Sequence, residues 1–324
     1  MKFLITGITG FVGPHLANLL LQKGHQVIGL IRSSNGREKD LLDILSVQSI
    51  EEIHWIYGDL KNYASLREVF TNHQFDGIFH LAAQSHVPTS FNYPILTFQE
   101  NVMGTVNLID LVETTQENCK VHICSTSEVY GDACKNVGIL KEEHKLQPVN
   151  PYAASKTAID LYAQERINNG FLKGFVTRAF SHTGPRRGFN FSISSDAYQI
   201  AKMLSGKQEK VLLTGNLKTR RVVMDVRDCV NAYYRLMKTK NIKTVYNVCG
   251  EDIQEMQFYT NLLLECSGLY GVVQRIHKPF YRDIDIQIQI GDITRLKRDT
   301  GWQPTISIKQ TMQDLLDYWV RKLK

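Results

Sequence analysis

The first thirteen residues constrain the fold most. Residues 2–6 form an apolar run that empties into Gly7-Ile8-Thr9-Gly10-Phe11-Val12-Gly13. An apolar-periodic helix over 15–23 follows, and Gly24 stops it. Gly7, Gly10 and Gly13 between a strand and a helix let backbone approach a diphosphate at the helix N-terminus, with Phe11 and Val12 carried on the same turn. Such glycines mark many tight turns. Here the turn stands at the head of the chain, after a strand and before a helix, which is the context that dinucleotide binding requires.

The alternation continues. Strands are expected at 26–31, 53–57, 77–82, 121–126 and 173–180, with helices at 64–71, 94–114 and after Asn150. This predicts an α/β chain, a Rossmann-type doubly wound parallel sheet whose ligand crevice lies outside the carboxyl ends of its strands. Residues 222–238 read as a return to the sheet. The expected division is therefore 1–175 plus about 220–245 for the dinucleotide domain, and 176–219 plus 246–324 for a smaller substrate-binding lobe. A C-terminal helix with Ile308, Met312, Leu315, Leu316 and Trp319 on one face closes that lobe.

The second strand ends in Arg32-Ser33-Ser34. An acidic residue there would grip a ribose 2′-hydroxyl, whereas a basic, hydroxyl-rich end accommodates a 2′-phosphate. NADP is thus expected over NAD, with Arg37 as a second contact. Asp59 and Leu60, at the third strand's end, are placed against the adenine. Leu81, Ala82 and Ala83 leave room for a cofactor past the fourth strand, and Ser85 faces substrate.

The fifth strand delivers Thr126-Ser127-Glu128. Further on, Asn150-Pro151-Tyr152-Ala153-Ala154-Ser155-Lys156 opens a helix, Asn150 serving as its N-cap and Pro151 as its first residue. Tyr152 and Lys156 share a helical face, and an ammonium beside a phenol is expected to lower the phenol's pKa toward acid–base use. A hydroxyl, a carboxylate, a phenol and an ammonium together suffice for hydride and proton transfer.

A chain of 324 residues, 43% hydrophobic and 22% charged, can bury a large core. It has no apolar run of bilayer length and its start turns glycine-rich too early for a signal peptide, so a soluble, cytoplasmic protein with no membrane partner is expected. The six cysteines contain no C-x-x-C pair and the ten histidines no ligand spacing, so no metal is expected. The net charge of +6 suits either nucleic acid or phosphate-bearing small molecules. Basic residues are spread along the chain, and pairs such as Arg186-Arg187, in a loop between glycines, favour small phosphates over nucleic acid.

With these residues on the page, the chain resembles the extended short-chain dehydrogenase/reductases that act on nucleotide sugars, and most of all the GDP-mannose 4,6-dehydratase family. The glycine turn, Tyr152 and Lys156 match the superfamily. Thr126-Ser127-Glu128-Val129-Tyr130-Gly131, the loop His182 to Gly188 and Arg32-Ser33-Ser34 are similar to the dehydratase branch. The resemblance implies a homodimer or homotetramer that holds NADP, with Tyr152 and Lys156 against it, and takes a GDP-sugar. Ser181, Arg186, Arg187, Arg221 and Arg282 would then contact the nucleotide sugar. It also implies a lyase reaction in which GDP-mannose becomes GDP-4-keto-6-deoxymannose. Tyr152 would deprotonate the C4 hydroxyl, Thr126 would hold the ketone, and Glu128, helped by Ser127, would take the C5 proton and expel water. The chain departs from the family at Ser181, where asparagine is common, and after Arg221, where an aspartate–aromatic pair is missing. Residues 246–249 and 301–304 are also similar to 4-keto-sugar reductases. A GDP-manno-heptose dehydratase and an NADPH-dependent keto-sugar reductase or epimerase are the alternatives.

Overall fold

The computed structural model describes residues 1–33, 36–281 and 286–324. Six strands follow the expected order: β1 (Lys2–Thr6), β2 (Gln26–Ile31), β3 (His54–Tyr57), β4 (Gly77–His80), β5 (Lys120–Thr126) and β6 (Gly174–Ala179). Together with Val245–Val248 they form a seven-stranded sheet in the order Val245–Val248, β6, β5, β4, β1, β2, β3. Every pairing in it is parallel. The order reverses between β1 and β4, so the crevice that a doubly wound sheet offers opens beside the glycine turn.

Both faces of the sheet are covered, which is why its strands read as unbroken apolar runs. In β1 the side chains alternate. Phe3 and Ile5 pack on the face covered by α1 (Val12–Gln22) and the Val226–Lys238 helix, through Leu16, Leu20, Tyr233 and Leu236. Leu4 packs on the other face with Leu66, Leu108 and Ile159. A separate core forms the smaller lobe, where Ala197, Leu263, Met312 and Leu315 join the helices Ser192–Leu204, Met256–Ser267 and Ile308–Leu323. The apolar face expected on the last helix is therefore core.

Two expectations shift. The expected boundaries at 175 and 245 cut through β6 and Val245–Val248, both of which belong to the sheet. Residues 293–302 also leave the small lobe: Leu296 and Trp302 pack into the first sheet core, and the Trp302 indole donates to the Asp228 carbonyl at 3.0 Å. The single helix expected at 94–114 is Pro94–Phe98, a π-helical turn at Gln99–Met103, and Gly104–Thr115. The wide turn serves a buried residue. Asn101 donates to the Gln84 carbonyl at 3.0 Å and to Ser155 Oγ at 2.9 Å, and accepts from the Gln84 amide at 2.8 Å.

The Pro151–Asn168 helix is tied down by a buried ion pair. Arg178, on β6, reaches Asp160 through Nε at 2.9 Å and Nη2 at 2.8 Å, with side chains 3% and 0% exposed. Removing one partner of such a pair leaves an uncompensated buried charge. Asp160→Asn should therefore cost about 3–5 kcal/mol, measured by urea unfolding; a loss below about 1 kcal/mol would show that the pair carries little of the fold.

Candidate active site

A cavity of about 1390 Å³ lies between the carboxyl ends of the sheet strands and the smaller lobe. That is larger than one small molecule needs and suits two ligands side by side. Gly7, Gly10, Phe11, Val12 and Gly13 line one end. Gly7 adopts φ +74°, and a Cβ there would lie 2.7 Å from the Ala82 nitrogen; a Cβ on Gly13 would lie 2.4 Å from the Ile8 oxygen. The glycines thus let the turn press against β4's end and the helix against the turn. α1 starts without a side-chain cap and with no acidic residue in its first turn. Its free amides and positive dipole end face the cavity, an arrangement that suits a diphosphate.

Thr126, Ser127, Glu128, Tyr152 and Lys156 all line the same cavity. β5 runs out at Thr126 and a 3-10 turn, Ser127–Tyr130, follows at once because the Thr126 hydroxyl accepts the Glu128 amide at 3.3 Å. Asn150 has two tasks. Its carbonyl oxygen caps the Pro151–Asn168 helix by accepting from the Ala153 amide at 2.7 Å, and its Nδ2 donates to Glu128 Oε2 at 3.0 Å. One side chain therefore sets the helix start and orients the carboxylate. The sequence reading found only the cap.

The expected lowering of the Tyr152 pKa is corrected by the structure. Burial pushes the phenol well above its ordinary value, Cys124 and Glu128 add to this, and a hydrogen bond from Thr126 and the charge of Arg187 oppose it. Burial likewise lowers Lys156. Desolvation penalises both charged forms, and at this depth it outweighs their proximity. The phenol rests protonated.

Other expected residues divide. Leu81, Ala82, Ala83, Ser85, Ser181, Arg187 and Arg221 line the cavity. Arg187 lies 4.8 Å from the Phe11 ring centre and 3.5 Å from that of Phe191, and burial brings it down to about 10. Arg221 is buried and donates to the Ile286 and Arg220 carbonyls. Arg186, expected on substrate, instead takes φ +74° and clamps the outer side of the glycine turn. It donates to Thr9 O at 2.8 Å and Gly10 O at 3.1 Å, and also reaches Asp40 O and Asp43. Carbonyls left over by a tight turn need donors, and a guanidinium supplies several at once.

Arg32, Ser33, Asp59 and Leu60 lie outside the enclosed cavity, at the ends of β2 and β3. There Arg32 stands 3.5 Å from Glu100, which also takes Lys61 at 2.8 Å. Arg282, Ser34 and the Arg37 side chain lie outside the described residues. Among the described residues no His, Cys, Asp and Glu side chains cluster as a metal site, and no helix is long and apolar enough to cross a membrane.

The sequence reading missed Asp196, Gln289, Ser125 and Thr183, all buried on the cavity wall. Asp196 accepts from the Thr260 hydroxyl at 2.7 Å, and burial pushes its carboxyl up to about 7 against that bond. Since the folded protein keeps a proton that the unfolded chain releases near pH 4, this group's stabilising share is full below about pH 4 and is lost as pH rises through about 7. Asp196→Asn should flatten the fall of Tm between pH 4 and 8, seen by scanning calorimetry. An unchanged slope would assign the fall to another group.

A family model described as GDP-mannose 4,6 dehydratase matches residues 4–315. GDP-6-deoxy-D-mannose reductase of Pseudomonas aeruginosa is 31% identical, over 100% of this chain and 98% of that protein. The human GDP-mannose 4,6 dehydratase is 28% identical, over 97% and 90%. Among solved structures, RMD from Pseudomonas aeruginosa complexed with NADPH superposes with a TM-score of 0.82 at 28% identity, covering 99% of each chain.

Proposed function

The chain belongs to the GDP-mannose 4,6 dehydratase family, and from that membership and the cleft geometry we propose that it is a lyase converting GDP-mannose to GDP-4-keto-6-deoxymannose. The observation that carries this reading is Glu128: its carboxylate is held by Asn150 on the wall that also presents Thr126 and Tyr152. A reductase or an epimerase has no need of a base there.

The cradle at Gly7, Gly10 and Gly13, with the uncapped start of α1 beneath it, fits the diphosphate of a nicotinamide dinucleotide. Arg32, 59% exposed at the end of β2, supports NADP through its 2′-phosphate. When bound in that cradle, the nicotinamide would supply a hydride acceptor for C4 and a hydride donor for C6, with no net oxidation. The protein moves the protons. Tyr152 acts from its phenolate, formed when its resting proton is released to solvent. It takes the C4 hydroxyl proton as the hydride departs, with the Lys156 charge four residues on and the Thr126 hydrogen bond supporting the phenolate until then. Tyr152 later gives that proton to C5, once the hydride has reached C6, so the C4 ketone is kept and the protons balance. Thr126 also holds the C4 ketone, which acidifies C5–H. Glu128 takes the C5 proton and delivers it to the C6 oxygen, which leaves as water. Arg221, buried on the cavity wall, and Arg187, between its two rings, are placed for the nucleotide's phosphates.

The test is mass spectrometry of the protein incubated with GDP-mannose. The product should be lighter by one water without added NADPH. Glu128→Gln should keep the dinucleotide and lower turnover by at least about 10²-fold; full turnover by that variant would remove the reading. A second reading, NADPH-dependent reduction of a GDP-4-keto-6-deoxy sugar, is favoured by the 31% identity to the Pseudomonas reductase. Oxidation of NADPH by that ketone, undiminished in Glu128→Gln, would select it.

We also propose self-association. Ile95, Leu96, Phe98, Met103 and Leu161 are exposed on the packed segments Pro94–Phe98, Gln99–Met103 and Pro151–Asn168, Ile95 being 74% exposed. Light scattering after size exclusion should give a dimer or larger, and a monomer at micromolar concentration would remove the proposal.

A further inference from the structure

One wall of the cleft holds a hydrogen-bond donor that the described residues leave unused. Gln289 lies on the short strand Ile288–Gln289, at a polar position of the alternating run Ile286-Gln287-Ile288-Gln289-Ile290, where a solvent-facing side chain is expected. It is 2% exposed. Its Oε1 accepts from Ser127 Oγ at 3.3 Å, and its Nε2 has no partner among the described residues. Both residues line the cavity.

The chemistry of the pair is specific. Ser127 has one proton and gives it to Gln289, so its oxygen can still accept. Gln289 has two N–H groups, and neither has a partner among the described residues. An unused acceptor beside an unused donor matches a group that donates and accepts through one atom, which is an alcohol. A buried amide without a partner is costly and is kept where a ligand meets it.

Its place narrows the choice. Ser127 stands between Thr126 and Glu128, and Gln289 lies opposite Arg221 in the parallel pairing of their strands. We propose that Gln289 and Ser127 together read the exocyclic C6 hydroxyl of the sugar, with Gln289 as the specificity-determining residue. This rests on the placement of C4 at Thr126 and Tyr152 and of C5 at Glu128 argued under Proposed function, since C6 comes next. In the dehydration, the amide N–H groups also steady the C6 oxygen as it leaves.

The test is calorimetric titration of the NADPH-loaded protein, whose reduced cofactor cannot begin the oxidation, with GDP-mannose and with GDP-6-deoxymannose. The wild type should bind GDP-mannose about 10- to 100-fold more tightly. Gln289→Leu should bind the two equally, with its NADPH affinity and Tm unchanged. Gln289→Glu, which still accepts from Ser127 but lacks the amide donors, should lose the same preference if the leucine variant folds poorly. Equal weakening of both ligands in either variant, or a wild type without preference, overturns the proposal while leaving the substrate reading intact. Failure of the wild type to bind either ligand removes both.

Discussion

The active-site geometry depends on the buried guanidinium of Arg178. From β6, beside the edge strand Val245–Val248, it grips Asp160 on the helix that carries Tyr152 and Lys156. It also donates to the Tyr130 hydroxyl at 2.9 Å and the Glu142 carbonyl at 2.8 Å. Tyr130 closes the turn that begins with Ser127 and passes its own proton to Asn247 at 2.8 Å, on the edge strand. One charge thus holds the helix, the Ser127–Tyr130 turn and the sheet edge in fixed relation. For the proposed proton transfers between groups on two separate segments, an error of an ångström would cost much of the rate. The planar fork of arginine, with donors in several directions, is suited to such a junction.

A second chain of contacts reaches Tyr152 from the other side. Thr6 bonds His80 at 2.8 Å, His80 bonds Thr105 at 2.8 Å, Thr105 donates to the Asn101 carbonyl at 2.6 Å, and Asn101 reaches Ser155, whose hydroxyl bonds the Tyr152 carbonyl at 2.7 Å. Burial brings His80 down to about 3, so it serves here as a neutral bridge. The cost of this depth is visible in Tyr152 and Lys156, both of which are pushed toward their uncharged forms. A dry site penalises resting charge and strengthens every interaction with charge that develops during reaction.

The two adjacent arginines show how position separates identical chemistry. Arg187 faces the cleft between Phe11 and Phe191, and the Phe11 ring is in turn stacked on His182 at 5.8 Å. Arg186 turns the other way and braces the glycine turn from outside. The first lines the cleft, and the second shapes the backbone of the glycine turn. Successive residues in an irregular loop have no period that tells their directions apart, so the pair reads as one feature until the fold separates it.

The sequence by itself determined the parallel sheet, the glycine turn, the strand-end hydroxyl and carboxylate, and the capped helix with its tyrosine and lysine. Each of these is a local signal: an apolar run, a fixed spacing, a cap. Tertiary structure alone decided the direction of the Tyr152 pKa shift, because desolvation depends on what covers the phenol. It alone turned Arg186 away, moved residues 293–302 onto the sheet core, and brought Gln289 against Ser127 from 162 positions along the chain. Those outcomes come from contacts between distant segments, where burial and the need to satisfy leftover polar groups outweigh what neighbouring residues specify.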